Sequence, residues 1–378
     1  MNRSPFALAL ALAGQLGQMA GSAAQSVPGL AGATALFAGI FVGRADAASI
    51  SAPDVVEQWL LPRYDALVAA TGAQRTAWDA FCAKPGAEGV AELKARFAAV
   101  SDAWAAVEFV TFGPVMLSLR PDRFNLFPER RNAVGRSVAE IIGDPTDERL
   151  QPDRFFRLSA AVQGLPALER VLHDDGAEAA LVSGPDAARR CALGRAIALN
   201  LATIAGELRE GWGDRRNGLL AQLIAGRSDP VYFPEPGALL SQMVTDLAGA
   251  YQRVVDQRLL VVLGKTPDDA KPLLADRRRS GLSRETIIAI IASANDLADR
   301  LAAGLDAKGR AAVEKTMAGA QAAAEALPED IGAAATTPQG RKSLQAAITA
   351  FKAAQASVAS PLAAGLGVPL GFNALDGD

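Results

Sequence analysis

The sequence predicts an all-α fold, laid out as two antiparallel helical bundles of about four helices each. Three observations predict it. Apolar residues return every three or four positions through most of the 378-residue chain, and nowhere do they alternate for the length of a strand. The β-like runs, Val231-Tyr232-Phe233 and Leu259 to Leu263, are short, and the second completes a helical stripe. The stretch Gly226 to Gly237, GRSDPVYFPEPG, carries three prolines and divides the pattern into halves. The expected domains are an N-terminal bundle over 53–225 and a C-terminal bundle over 238–378, behind a signal peptide over 1–47.

The signal peptide is read from Arg3, an apolar run from Phe6 to Leu16, a second from Leu30 to Val42, and Ala45-Asp46-Ala47, which has the form of a cleavage site. The whole region is also long enough for an uncleaved anchor. Export with cleavage near Ala47 is the favoured reading, and it places the mature protein in the periplasm.

The helices follow in order. Pro53 to Cys82 carries Val55, Trp59, Leu60, Tyr64, Leu67, Val68, Trp78 and Phe81 on one stripe, with Pro62 and Gly72 expected to bend or divide it. Gly86 to about Phe112 is a second helix through Leu93, Phe97, Val100, Trp104, Val107 and Val110. Residues 119–133, rich in arginine, aromatics and proline, lack periodicity and read as a structured loop or short-helix segment. Asp153 to Leu172 is a helix kinked at Gly164-Leu165-Pro166, because Pro166 has no amide hydrogen and its ring presses on the preceding turn. Pro185 to about Leu223 is long, with Leu193, Ile197, Leu201, Ile204 and Leu208 on its stripe. The second half holds Ala238 to Leu263, a helix capped by Ser283, an alanine-rich helix over Lys308 to Leu327, and Pro338 to Val358.

Apolar residues make up 50% and charged residues 21% of the chain, which excludes a disordered or mostly membrane-embedded protein. The 38 lysines and arginines against 41 acids leave a net charge of -3, no electrostatic footprint for nucleic acid. The densest basic spot, Arg277-Arg278-Arg279, reads as a solvated loop or salt-bridge face. There is no dinucleotide fingerprint, phosphate loop, C-x-x-C, H-E-x-x-H or G-x-S-x-G motif. Cys82 and Cys191 fit either a disulfide formed in an oxidising compartment or two small buried thiols.

Four polar groups stand out. Glu108 lies inside the apolar AWAAVEFVTFGP and must find a partner or stay protonated. Arg123, Arg130 and Arg131 of the arginine-aromatic loop are candidate partners, either for a structural ion pair or for a site. Glu169 and the lone histidine, His173, sit at i and i+4 on one helix, a spacing that holds a metal or a small anion and also occurs on ordinary helix surfaces. Lys271, Arg279, Ser280 and Ser283 fall in a loop of the second half. With a single histidine, a metal site would be mostly carboxylate, suited to iron, manganese or calcium more than to catalytic zinc.

Several stretches, in this order, resemble the imelysin family, also called the M75 peptidase family: AWAAVEFVTFGP (103–114), RFNLFPERR (123–131), VQGLPALERVL (162–172), RRCALGRAIALNLA (189–202), KPLLADRRRSGLS (271–283) and LGFNALDGD (370–378). The resemblance covers about residues 53–378. It implies two helical bundles, an exported location and a part in iron acquisition. It also implies iron, haem or a related ligand held in a cleft between the bundles, with iron-uptake or outer-membrane transport components as partners and membrane association that is at most peripheral. The family pattern G-x-H-x-x-E falls on Gly164 to Glu169, so the glycine and glutamate carry over while Pro166 takes the histidine place. Proline can neither ligate a metal nor act as a base, and His173, one turn beyond Glu169, lies about 6 Å further along the axis. The expectation is therefore a non-enzymatic binding protein. Its ligand residues would be Glu108, Arg123, Arg130, Glu169, Arg279 and Ser280, suited to an anionic ligand or a chelated metal, with Glu169 and His173 as the metal candidates. The competing readings are a metal-dependent peptidase of the M75 type, with Glu169 and other carboxylates holding the ion, and a structural or partner-binding bundle.

Overall fold

The computed structural model describes residues 50–371 apart from 145–147, 230, 234 and 236. The expected signal peptide, the three prolines of the 226–237 break and most of the terminal LGFNALDGD lie outside the described residues. Regular structure among the described residues is helical, and the β pairing found there is an isolated bridge between Asp229 and Phe233.

The first helix, α1 (52–83), runs unbroken past both Pro62 and Gly72. Just before Pro62 the chain makes a π-helical turn, Val56–Leu60. Its extra residue loosens the coil where the proline ring would press. The second helix, α2 (Ala87–Ala105), stops seven residues short of the expected Phe112. Val107, Phe109, Val110 and Phe112 are all buried in the irregular segment that follows. A single helical face could not bury them all.

The expected kinked helix is three pieces: Pro152–Phe155, Ala160–Gln163 and Leu165–His173. After α3 (Ala133–Gly143), the last of these pieces is α4. Gly164 separates it from the turn before, in an extended conformation with φ -119°. A side chain at Gly164 would meet the carbonyl carbon of Phe124 at 2.7 Å, so only glycine lets the 120–124 segment approach this closely.

The long α5 (Ala187–Trp212) ends at Gly213. It is apolar and long enough to cross a membrane, but Leu193, Ile197, Leu201, Ile204 and Leu208 are fully buried within the fold. It packs along α1, where Gly194 lies under the Trp78 ring. Cys82 at the end of α1 and Cys191 near the start of α5 are joined by a disulfide with Cα atoms 5.8 Å apart.

In the second half, α6 (238–263) again passes through a π-helical segment, Val254–Leu260. Then come α7 (Ser283–Ala302), α8 (Ala307–Glu325) and α9 (Pro338–Ser357). Asp306 caps α8 through the Gly309 amide, and Thr337 caps α9 through that of Gly340, with Pro338 at its first position. Ser283 does not cap α7: it is the first helical residue, and its hydroxyl donates to the carbonyl of Asp276. The helices α6 to α9 pack on one another, while α2 lies against α7. The apolar core is one cluster running from Val55 to Ala363.

Candidate functional site

Three segments that are distant in sequence enclose a cleft of about 770 Å³. They are the loop 126–132, the start of α4 through Pro166, Glu169 and Arg170, and the loop 273–279. The first loop includes a cis bond between Phe127 and Pro128, and Arg131 and Asn132 both have left-handed backbone. Arg277 is left-handed as well, with φ 52°. Among the described lining residues, six arginines (130, 131, 170, 277, 278 and 279) face three carboxylates, those of Glu129, Glu169 and Asp276. The surplus is cationic.

Each carboxylate is already committed. Glu169, 5% exposed, accepts from both the amide and the hydroxyl of Ser280, at 3.0 and 2.8 Å. Glu129 accepts from the Val134 amide and faces Arg170 at 3.7 Å. Asp276 joins a buried network under the cleft: Arg258 lies 3.1 Å from Asp276 and 2.7 Å from Glu108, and Arg277 is 3.3 Å from Asp276. Burial pushes the Glu108 carboxyl up, and Arg258 opposes it. Burial works against the Arg258 charge too, but Glu108 and Asp276 outweigh it and hold the guanidinium above its ordinary value. The same guanidinium lies 4.9 Å over the Phe127 ring, which ties the network to the loop above.

Of the residues expected from the sequence, Arg130, Glu169 and Arg279 line this cleft, and Ser280 anchors Glu169 beside it. Glu108 sits beneath it, reaching Asp276 through Arg258. Its ion-pair partner is Arg258, not an arginine of the 119–133 loop, because that loop turns its arginines toward the clefts. Arg123 is elsewhere, in a second cleft, bonded to Gln163 and Asn200.

Glu169 and His173 have separate partners, Ser280 for the first and Phe97 for the second. The His173 ring packs 5.3 Å from Phe97, and burial together with Lys94 lowers its pKa to about 4. Among the described residues no three His, Cys, Asp or Glu side chains group as a metal ion would need. Arg277, read with its neighbours as a solvated or salt-bridged face, is buried at 3% exposure and bonds Asn125 at 2.7 Å. Besides the Arg277–Asp276 pair, Arg279 forms a salt bridge to Asp174 at 2.5 Å.

Arg258, Asp276 and Arg170 were not anticipated. For Arg258 a signal existed. It interrupts the apolar run VVDQRLLVVL (254–263), as Glu108 interrupts its own, and two buried opposite charges in separate apolar stripes are natural partners.

The profile of the M75 peptidase (imelysin) family matches residues 60–358. The chain belongs to the imelysin family. Among solved structures, this imelysin-family chain is similar to an imelysin-like protein from Psychrobacter arcticum 273-4, with TM-score 0.69 and 20% identity over 85% of this chain and 96% of that one. It is also similar to a candidate iron-regulated protein A precursor from Parabacteroides distasonis ATCC 8503, with TM-score 0.64 and 15% identity over 83% and 95% of the two chains. At these identities the likeness is one of fold. No curated protein matches the sequence. The peptidase label thus meets a cleft in which Pro166 stands where the family pattern has histidine, next to a glutamate held by Ser280.

Proposed function

We propose that this imelysin-family chain is an exported, non-enzymatic protein of iron uptake that holds its cargo, iron in chelated form or haem, in the cleft between two helical bundles. The observation that carries it is the arginine surplus around Glu169. Guanidinium forks bind carboxylates in pairs, and both haem and common iron chelates present carboxylates. Bare iron is a poor fit, because the described cleft carboxylates are already bonded and no cluster of ligating side chains is present among the described residues. The volume is that of a small-molecule site.

The bundles would be residues 53–225 and 238–378, with their loops meeting at the cleft. Periplasmic residence is supported by the Ala45-Asp46-Ala47 site and by the disulfide, which persists in oxidising compartments. A transport component of the cell envelope would be the partner.

The test is elemental analysis and an absorption spectrum on untagged protein isolated from its own host. Stoichiometric iron or haem, lost in Glu169→Ala, supports the reading. Protein free of both, which takes up neither on titration, leaves a scaffold as the better account. N-terminal sequencing of the same sample checks cleavage near Ala47.

A further inference from the structure

A second cleft, of about 900 Å³, opens between the short helix Arg120–Phe124, the segment 152–160 and the outer face of α5. One of its lining residues is an arginine with an unusual set of partners. Arg123 donates from Nε to Gln163 Oε1 at 2.8 Å and from Nη2 to Asn200 Oδ1 at 2.9 Å. Both amides are buried, at 0% and 6% exposure. Both are themselves fixed: Asn200 donates to the Gln163 carbonyl, and Gln163 donates to the carbonyls of Phe156 and Leu158. Two buried neutral side chains therefore hold a guanidinium rigidly without neutralising it. Among the described residues Arg123 forms no ion pair, and burial lowers its pKa.

The rest of the cleft sorts into two parts. Glu207, its described acidic lining residue, is paired with Arg120 at 2.9 Å, which leaves the charges of Arg123 and Arg157 over. The apolar part of the lining includes Phe155, Phe156, Leu158 and Leu199. Phe156 remains 49% exposed although it is large and apolar, with the Arg157 guanidinium 5.2 Å over its ring. Leu119, also on the rim, is 68% exposed. A fixed cation beside this apolar lining, in a cleft of this volume, matches a ligand with one anionic head and an apolar body.

We infer that this cleft is a second binding site, for an amphipathic carboxylate, with the head on Arg123 and the body against Phe156 and Leu199. The site is separate from the cleft around Glu169 and does not depend on what that cleft binds.

The probe is decanoate, titrated calorimetrically into the whole mature protein beside the uncharged analogue decanol. The expected result is saturable one-site binding of decanoate, with decanol weaker by about tenfold or more, the worth of a charge-assisted hydrogen bond. Arg123→Gln should weaken decanoate by a similar factor while leaving decanol unchanged. Phe156→Ser, at a half-exposed position with little cost to folding, should weaken both ligands. Decanoate and decanol binding alike, decanoate binding Arg123→Gln and Phe156→Ser as it binds the parent, or no saturable binding of decanoate at all would each overturn the inference.

Discussion

The amide and the hydroxyl of Ser280 both donate to the same oxygen of Glu169, at 3.0 and 2.8 Å, across 111 residues of sequence. This pair of bonds joins α4 to the loop before α7. It fixes the glutamate of the family pattern at the cleft wall as an acceptor. Ser280→Ala removes one of the two donors to a nearly buried carboxylate. The expected loss is about 1–2 kcal/mol of stability, read as a lower urea midpoint, together with weaker binding in the cleft. An unchanged midpoint would mean that the bond contributes nothing in solution.

The network of Arg258, Glu108 and Asp276 predicts an asymmetry between its members. Arg258→Ala strands the buried Glu108 carboxylate and leaves Asp276 only Arg277, at 3.3 Å, and should cost roughly 3–5 kcal/mol. Glu108→Gln leaves Arg258 paired with Asp276 at 3.1 Å and should cost only about 1 kcal/mol. Equal losses from the two substitutions, by urea denaturation, would contradict the shared-partner geometry.

Most of this fold was legible because periodicity reports burial directly. The stripes through Trp59, Tyr64 and Trp78, through Leu93 and Phe97, and through Ile197 and Leu201 are all buried in helices. What periodicity missed were the places where tertiary contact overrides it. The chain from Val107 to Phe112 is apolar enough to extend α2 but leaves the helix to bury more than one face. The helix expected from Asp153 breaks at Gly164 because the Phe124 backbone needs that space. The site was half legible. Glu108 and Glu169 were conspicuous as acids in apolar or patterned surroundings, but which arginine meets which acid depends on loops such as 273–279, whose course no local rule supplies. Arg123 looked like part of the same cluster only because it is close to Arg130 in sequence.

Two groups make stability depend on pH in opposite senses. Burial lifts the Asp246 carboxyl from 3.8 to about 6, against the bonds it accepts from Thr111 and Gln242. In that window the folded state binds the extra proton, so this contribution is present at low pH and lost as pH rises through about 6. Burial lowers His173 from 6.5 to about 4, so the unfolded state binds the extra proton and stability is lost as pH falls from 6.5 through about 4. Relative to the parent, Asp246→Asn should make stability rise more steeply with pH between these limits, and His173→Gln should make it rise less. Urea midpoints measured across the window check both signs. As the chain has one histidine, its proton resonances also give the His173 pKa directly, expected near 4.

The Cys82–Cys191 disulfide closes a loop with a sequence separation of 109. The Cys82→Ser, Cys191→Ser pair should lose about 2–5 kcal/mol, since the cross-link limits the unfolded chain most when the loop is long. The same shift should follow from adding reductant to the parent protein. No shift in either experiment, or two thiols that alkylate in the native protein, would show that the bond is not formed.

The central claim, an arginine-lined cleft for a carboxylate-bearing iron cargo, is tested most directly by titrating the untagged protein with haem and, separately, with ferric citrate. The parent is compared with the Arg130→Ala, Arg279→Ala double variant, whose positions line the cleft from two different loops. The predicted result is saturable one-site binding of at least one of the two ligands, weakened about tenfold or more in the variant. Saturable binding that is identical in the two proteins, or no binding of either ligand to the parent, would contradict it.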